Sequence, residues 1–352
     1  MDMELSRIIR TKALELGYDA CGIIKAGAME DYAAALDQRI ERFPDTKKQL
    51  EPFYPARNAE DYAWAKSVVI CSRWYGKYHI PEHLKSRIGK MYLTDARTAH
   101  DSDERRSSRA FKEFLSEDLG FKAKNSSAFG LPGLRWAAMK AGIGVIRKNN
   151  FFYNEKGSYI YLEAWLIDKE LELIVQPVIK PCPEKCEICI KQCPTASLAE
   201  PYAMNYNTCV SCITTWEGWD LPHDPHRHQV GGWIYGCDIC QDVCPLNQRA
   251  WIEELEFPGL KELSRAISLE QIIAMDYDFL REVMNAKFFY IGKQHVWKWK
   301  TNALNAMLND YQPGYRASIE LAGEDEDERV RTMADWVKEQ IETLNISPVW
   351  PD

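Results

Sequence analysis

Two cysteine-rich runs in the middle of the chain decide its organisation: residues 182–194 read CPEKCEICIKQCP, and residues 237–245 read CDICQDVCP. Nine of the eleven cysteines lie between Cys182 and Cys244. Packing of small side chains in a core does not explain such a density, whereas metal binding or redox chemistry does. The sequence therefore predicts a metal-binding region, which we place at residues 177–250.

The spacing of these cysteines predicts two 4Fe–4S clusters. In two-cluster domains, three closely spaced thiolates bind one cluster, and the cysteine before the proline binds the other. Tetrahedral zinc is the alternative, because Cys-x2-Cys pairs also suit that ion, but the repeated Cys-x3-Cys-Pro ending favours iron–sulfur clusters. Cys212 is left over and is expected to pack beside a cluster. The rule predicts two ligand sets: Cys182, Cys186, Cys189 and Cys244; and Cys193, Cys209, Cys237 and Cys240.

Composition indicates a globular protein of two or three domains. Of 352 residues, 46% are hydrophobic and 27% are charged, which excludes a disordered or collagen-like chain. A net charge of -8 excludes a global basic field that would attract nucleic acid. No apolar run approaches the roughly 18 residues that span a bilayer, and the first residues lack a signal-peptide pattern. We therefore expect a cytoplasmic protein with reduced thiols and no membrane partner.

Hydrophobic periodicity predicts an α+β protein with helices and strands before the cysteines and helices alone after them. Residues 158–167 are expected to form a strand that turns at 168–169 and pairs with 171–175. The acidic run 324–328 is expected to begin the last helix, at its positive end. We predict an α/β domain at 1–176, the cysteine domain at 177–250 and a helical domain at 251–352. The other predicted elements are a helix ending at Gly17, strands at 21–24 and 67–71, a helix from Asp101 or Ser102 to about Leu119, and a helix at 134–141.

Several motifs resemble those of one family. Residues 16–20 (LGYDA), 65–69 (AKSVV), 140–144 (KAGIG), 234–247 (IYGCDICQDVCPLN) and 301–304 (TNAL) together extend over most of the chain. They resemble the cobalamin-dependent epoxyqueuosine reductases and, more distantly, the reductive dehalogenases. The resemblance implies an enzyme with a ferredoxin-like two-cluster domain and a HEAT-like helical tail.

The resemblance also implies cofactors and partners. A cobalamin (corrinoid) is expected between the N-terminal domain and the cluster domain, with electrons passing from the clusters to cobalt and then to the queuosine precursor in tRNA. Reduced ferredoxin or flavodoxin is the expected electron donor, and a monomer is the expected state. For Gly142 and Gly144, the alternative to close approach of a flat ligand is a helix end and a turn. The implied corrinoid-binding residues are Gly142, Gly144, Lys148, Asn149, Gly157 and Ser158.

The chain departs from the family where the proton donor is expected. The family places an aspartate about a dozen residues before the Ala-Gly-x-Gly motif, but residues 125–132 read NSSAFGLP and contain no carboxylate. Arg147 stands at the family's next glycine. Epoxide opening needs a proton at the leaving oxygen, so another group must supply it. The candidate donors are Tyr153, Tyr159, Tyr161 and Glu163.

Three functions remain open on the sequence. The first is reduction of the queuosine precursor in tRNA, the second is corrinoid-dependent reduction of another substrate, and the third is iron–sulfur electron transfer without catalysis. An RNA substrate would need a local basic patch, and residues 293–300 interleave lysines with tryptophans. We expect Lys293, Lys298 and Lys300 to contact phosphates there, with helix packing as the alternative.

Overall fold

The structure is a computed structural model that describes residues 2–27, 30–53, 62–126, 133–176, 179–216 and 220–343. Across these ranges the protein combines helices with small antiparallel sheets, as predicted. The strands are β1 (Ala20–Lys25), β2 (Ser67–Trp74), β3 (Ala123–Ser126), β4 (Val145–Ile146), β5 (Phe152–Tyr153) and β6 (Ile160–Ile167).

Helices precede, interrupt and follow the cysteine runs. Those of the N-terminal half are α1 (Met3–Glu15), α2 (Glu30–Arg42), α3 (Lys47–Leu50), α4 (Lys90–Leu93), α5 (Asp103–Glu113) and α6 (Leu134–Lys140). Those of the cysteine segment are α7 (Ile188–Lys191), α8 (Val210–Thr215), α9 (Arg227–Val230) and α10 (Ile239–Asp242). The last are α11 (Leu260–Ser264), α12 (Leu269–Ala274), α13 (Tyr277–Phe279), α14 (Asn285–Lys287), α15 (Trp297–Asn309), α16 (Arg316–Ala322) and α17 (Glu328–Thr343).

Capping residues set the helix ends that the sequence predicted. Ser102 caps α5 by accepting a hydrogen bond from the Arg105 N–H at 3.2 Å. The chain leaves α1 and α6 through Gly17 and Gly142, which have φ values of 83° and 75°. This left-handed conformation favours glycine because it lacks a Cβ atom. The predicted helix ends at these two glycines are confirmed.

The main sheet has the order β1-β2-β6-β3, with every neighbouring pair antiparallel. The predicted hairpin of residues 158–167 with 171–175 is wrong. Both edges of β6 are occupied, by β2 and β3, so the following segment pairs elsewhere. Leu173 instead exchanges backbone hydrogen bonds with Ile23 of β1, at 2.9 and 2.8 Å. The sequence analysis also missed β3, since four residues carry too short a pattern to detect.

Hydrophobic clusters cover both faces of this sheet. Trp165 of β6 packs with α1 and α5 on one face, whereas its neighbour Ala164 packs with α2 and α6 on the other. Such alternation follows from the two-residue repeat of a strand. Cys21 and Cys71 are fully buried in the sheet, where a free cysteine packs as a small apolar side chain. A third cluster joins residues 75–93, the cysteine segment and the C-terminal helices in one continuous core.

The C-terminal region is helical throughout its described part, and α17 begins beside the acidic run as predicted. The predicted phosphate contacts of Lys298 and Lys300 are wrong, because only 1% and 5% of these residues is exposed. The Lys298 ammonium donates to the Ile213 carbonyl at 2.9 Å, and that of Lys300 pairs with Asp325 at 2.7 Å. Lys293 is exposed and pairs with Glu282 at 2.9 Å. The helix-packing alternative therefore describes this stretch.

No helix in the described ranges is both long enough and apolar enough to cross a membrane.

Candidate active site

A cavity of about 420 Å³ opens beside the main sheet. Its wall includes the end of β2, the first half of β6, the start of α6 and Tyr290 from the C-terminal region. The lining is mainly apolar and aromatic, with guanidinium groups among it, a composition and size typical of small-molecule sites. Those cationic residues are Arg73, Arg97, Arg105 and Arg135.

Glu163 lies in the cavity wall with both carboxyl oxygens engaged. Its Oε1 accepts hydrogen bonds from Ser108 Oγ at 2.5 Å and Asn125 Nδ2 at 2.6 Å. Its Oε2 accepts from the Tyr18 hydroxyl at 2.6 Å. Burial, and then the nearby Glu163 charge, raise the pKa of Tyr18, whereas Arg73 over the ring at 4.2 Å lowers it. The network orients one carboxyl group at the cavity surface.

The three candidate tyrosines have other surroundings. Tyr161 lines the cavity, but its hydroxyl donates to the Met91 carbonyl at 2.8 Å. Tyr159 is buried and donates to Asp242 at 2.5 Å. Tyr153 is buried beside the Cys244 thiol, and its hydroxyl accepts from Asn149 Nδ2 at 2.9 Å. Burial is the largest cause that raises the pKa of each of these hydroxyls. Among the four candidate donors, Glu163 and Tyr161 line the cavity.

The glycines predicted to contact a corrinoid pack closely against the protein's own chain. A Cβ on Gly142 would lie 1.7 Å from the Val175 carbonyl oxygen, and one on Gly144 would lie 2.3 Å from the Phe152 ring. A Cβ on Gly157 would lie 2.5 Å from that of Ala250. Close packing of the protein's own chain therefore accounts for glycine at these three positions. A role of these glycines in corrinoid binding stays a prediction.

The polar residues of the same predicted set hold the cysteine segment. Lys148 Nζ donates to the carbonyls of Pro183, Glu184 and Cys186 at 3.2, 2.5 and 2.9 Å. Asn149 Nδ2 donates to the Cys240 carbonyl at 3.0 Å. Ser158 Oγ donates to Gln241 Oε1 at 2.9 Å and accepts from Asn247 Nδ2 at 2.6 Å. The segment after α6 therefore fixes both cysteine runs in place.

The fold gathers the cysteines into two groups. Burial raises the pKa of the Cys189 thiol, and the neighbouring thiols of Cys182, Cys244 and Cys186 add to the effect. Burial also raises the pKa of Cys240 well above its ordinary value, with contributions from Cys237, Cys209 and Cys193. We call these groups the outer set (Cys182, Cys186, Cys189, Cys244) and the inner set (Cys193, Cys209, Cys237, Cys240). Their membership is that of the two sets predicted from spacing, and their binding of clusters stays a prediction.

The remaining thiol of this segment, that of Cys212, lies beside the inner set. Among the residues that the structure describes, no group of three or more His, Cys, Asp or Glu side chains is arranged to hold one metal ion. Cys212 is buried next to Cys209, and their hydrogen bond lowers the pKa of Cys209 to about 7. This placement is the one expected for a packed neighbour of the inner set.

The two sets differ in their surroundings. The loop between Cys182 and Cys189 is flanked by exposed residues, including Lys185 and Ile188. In the inner set, Cys209 and Cys237 are flanked by buried Val210, Gly236 and Asp238, whereas Cys193 lies beside exposed Pro194. Beside Gly236 lies Tyr92, whose ring contacts the cavity-lining Tyr290 at a centroid distance of 5.4 Å. The inner set thus connects to the cavity, and the outer set lies towards the surface.

Comparison with known proteins gives the chain its family. Residues 182–247 match the model of the 4Fe-4S double cluster binding domain. The epoxyqueuosine reductase of Leadbetterella byssophila is 30% identical over 259 residues, which are 70% of this chain and 81% of that protein. The chain belongs to the epoxyqueuosine reductase family. The family predicted from the sequence is confirmed, and its members are oxidoreductases.

Further relatives extend this family assignment along the chain. The epoxyqueuosine reductase of Prochlorococcus marinus is 28% identical over 321 residues, which are 85% of this chain and 96% of that protein. A crystal structure of an epoxyqueuosine reductase with an epoxyqueuosine-modified tRNA stem loop has a TM-score of 0.73 and 22% identity. The superposition covers 96% of this chain and 90% of the chain in that crystal structure. The family fold therefore includes the C-terminal helices.

Proposed function

We propose that this chain reduces epoxyqueuosine in tRNA with two 4Fe–4S clusters and a cobalamin. The observation that carries the proposal is the cavity with Glu163 in its wall, connected by Tyr290 and Tyr92 to the inner cysteine set. The solved relative with a modified tRNA stem loop supports tRNA as the substrate.

The types of side chain present fit the cofactors that the family implies. Two groups of four thiols suit two cubane clusters, since each cluster takes four cysteine ligands. The aromatic walls and guanidinium groups of the cavity suit a large flat cofactor with polar side arms. A bound cobalamin would supply the reducing metal centre that iron–sulfur clusters, which move single electrons, do not provide.

The positions of the two sets support one direction of electron flow. A reduced ferredoxin or flavodoxin would reach the outer set, whose flanking residues are exposed. Electrons would then pass to the inner set, which is packed next to Tyr92 at the cavity side. The exposed and buried flanks of the two sets make this order the shorter route from surface to cavity.

Glu163 is the proposed proton donor in place of the missing aspartate. Removing the epoxide oxygen consumes two electrons and two protons and yields an alkene and water, so the leaving oxygen must be protonated. Glu163 lines the cavity, and Tyr18, Ser108 and Asn125 hold its carboxyl group in one orientation. Tyr18 also lines the cavity, and the burial that raises its pKa keeps its hydroxyl protonated as a hydrogen-bond donor to Glu163.

The finer organisation belongs to the same proposal. We assign residues 1–176 to the cavity-bearing domain, 177–250 to a ferredoxin-like domain and 251–352 to a HEAT-like helical domain. The structure's third hydrophobic cluster joins parts of all three ranges. Such shared packing supports one continuous folded unit, and we propose that it acts as a monomeric enzyme in the cytoplasm.

Restoration of queuosine in a bacterial strain lacking its own reductase tests the function. The intact chain is expected to restore queuosine, and purified protein reconstituted anaerobically with iron, sulfide and cobalamin should retain the corrinoid on gel filtration. Glu163→Gln should lower turnover by about 10² to 10⁴ with iron and cobalamin contents unchanged, because it removes the proton donor. The matched control is Glu155→Gln, at an exposed position.

Two outcomes would contradict the proposal. If the intact chain retains corrinoid but restores no queuosine, the substrate is another molecule. If no corrinoid is retained, the chain is an electron-transfer protein instead. Normal turnover of Glu163→Gln would refute the assigned proton donor alone.

A further inference from the structure

Two buried cations lie against the outer cysteine set. Arg147 is 5% exposed, and its Nη1 atom lies 4.0 Å from Cys182 Sγ. Its Nε is buried without a hydrogen-bond partner among the described residues, and its guanidinium lies over the Tyr153 ring at 4.9 Å. A charge desolvated in this way normally has an anionic partner. The nearby thiolates of a cluster would be that partner.

Lys148 adds a second charge on the same side. It is 8% exposed, and its ammonium donates to the three carbonyls of the loop between Cys182 and Cys186 described above. Neither Arg147 nor Lys148 forms an ion pair with a carboxylate in the described ranges. Their two positive charges are therefore uncompensated except by whatever the outer set binds.

The inner set has a carboxylate beside it instead. Asp238 lies between two of its cysteines in sequence, is buried, and accepts from the Lys90 backbone N–H at 2.7 Å. The nearest cation is the Lys90 ammonium, 3.9 Å from Asp238 and 2.5 Å from Asp242. One cation thus faces two carboxylates, so the charge of Asp238 beside the inner set is only partly offset.

Reduction of a cluster adds one negative charge to it. Nearby cations stabilise the reduced form, nearby anions destabilise it, and both effects are strong where water is excluded. We propose that Arg147 and Lys148 hold the reduction potential of the outer cluster above that of the inner cluster. The first electron from the donor then reduces the outer cluster. The inner cluster is reduced only when an electron moves to it from the outer cluster. This inference rests on the proposed ligand sets.

Redox titration followed by electron paramagnetic resonance tests this order in iron-loaded full-length protein without cobalamin. The intact chain should show two reduction steps, and Cys240→Ala, which removes an inner ligand, should retain the step at higher potential. Arg147→Met should lower the ratio of reduced to oxidised outer cluster at fixed potential by about tenfold, or about 59 mV for one electron. Lys148→Met should shift the same step in the same direction.

Matched variants separate charge from structure. Arg147→Lys should keep the outer potential near that of the intact chain, because it keeps the charge. Lys191→Met removes an exposed lysine from the same cysteine run, one that already pairs with Glu187, and should leave both steps in place. The step at lower potential should stay unchanged in all these variants.

The proposal is overturned if Arg147→Met leaves the outer step unchanged or if Cys240→Ala retains the lower step. Iron analysis distinguishes this failure from failure of the proposed ligand sets. About eight irons per chain with unshifted potentials would refute the tuning by Arg147 and Lys148 alone. Four or fewer irons in the intact chain would refute the ligand sets and this inference together.

Discussion

The two cysteine runs share one local design but lie in different surroundings. Each places Cys-x2-Cys-x3-Cys-Pro around a four-residue helix, α7 in one and α10 in the other. The first run, residues 182–194, is largely exposed and is held by charged side chains from the N-terminal half, above all Lys148. The second run, residues 237–245, is packed against the core that includes the C-terminal helices. Equal motifs can therefore support clusters with unequal electrostatic surroundings.

Side-chain amides of α15 bind backbone carbonyls in the segments around the inner set. Asn302 Nδ2 donates to the carbonyls of Thr214 and Ile234, both at 2.9 Å. Thr214 lies in α8, which follows Cys209, and Ile234 lies shortly before Cys237. Asn305 Nδ2 donates to the Gly231 carbonyl at 3.1 Å. The helix thus ties together two of the segments that supply inner ligands, that of Cys209 and that of Cys237.

The largest effect is expected from removing an inner ligand. Cys240→Ala should lower the iron content from about eight to about four atoms per chain, because a cubane needs its four thiolates. Cys212→Ala is the matched control, since it removes a thiol packed against Cys209 that is not in either ligand set. Iron and sulfide analysis after anaerobic reconstitution measures both. Equal iron loss in the two variants would contradict the ligand sets.

A smaller effect is expected from breaking the link between α15 and the inner set. Asn302→Ala leaves two buried carbonyls unpaired, at about 1 to 3 kcal/mol each, so unfolding free energy should fall by about 2 to 5 kcal/mol. The inner cluster should be lost at lower urea concentrations than the outer one. Anaerobic urea titration followed by cluster absorbance and circular dichroism measures both. Asn309→Ala, at an exposed position of the same helix, should change neither.

The smallest effect concerns pH and the Lys298 ammonium. Burial lowers the pKa of Lys298 to about 8, whereas the unfolded chain has a value of about 10.4. The folded state therefore binds fewer protons between these values, and its unfolding free energy rises with pH there, by at most about 1.4 kcal/mol per pH unit. Lys298→Met should lack this rise, as measured by urea unfolding at pH 7 to 9.5.

Lys293→Met supplies the control for that measurement, because Lys293 is exposed and should leave the pH dependence intact. Lys298→Met should also leave the salt dependence of stem-loop binding unchanged, since a buried ammonium does not contact phosphates. A reduced salt slope would mean that α15 opens to expose Lys298 to RNA.

Local sequence signals predicted the elements whose causes are local. Ser102, Gly17 and Gly142 set helix ends through their own side-chain or backbone properties. The prediction of strand pairing was wrong where the partner strand is remote in sequence. Whether Leu173 pairs with β6 or with β1 depends on which of these strands has a free edge in the folded sheet. Lys298 was misjudged for the same reason, since spacing does not show whether a helix lies at the surface.

The candidate site also combines features that local sequence predicts with features that depend on remote contacts. The residue types and spacing of the cysteines are sufficient to predict cluster chemistry, because ligand type and reach are local properties of a short run. The sequence shows that residues 125–132 lack a carboxylate, but it does not show that Glu163 meets Tyr18, 145 positions away.

The sequence by itself determined the family, the two cysteine runs and those helices and strands whose signals are local. Only the tertiary structure decided which run faces solvent, which cations lie beside each set and which carboxyl group lines the cavity. The physical reason is that burial and electrostatic surroundings arise from contacts between remote segments. The contact of Arg147 with Cys182 and that of Lys298 with Ile213 exist only once the chain has folded.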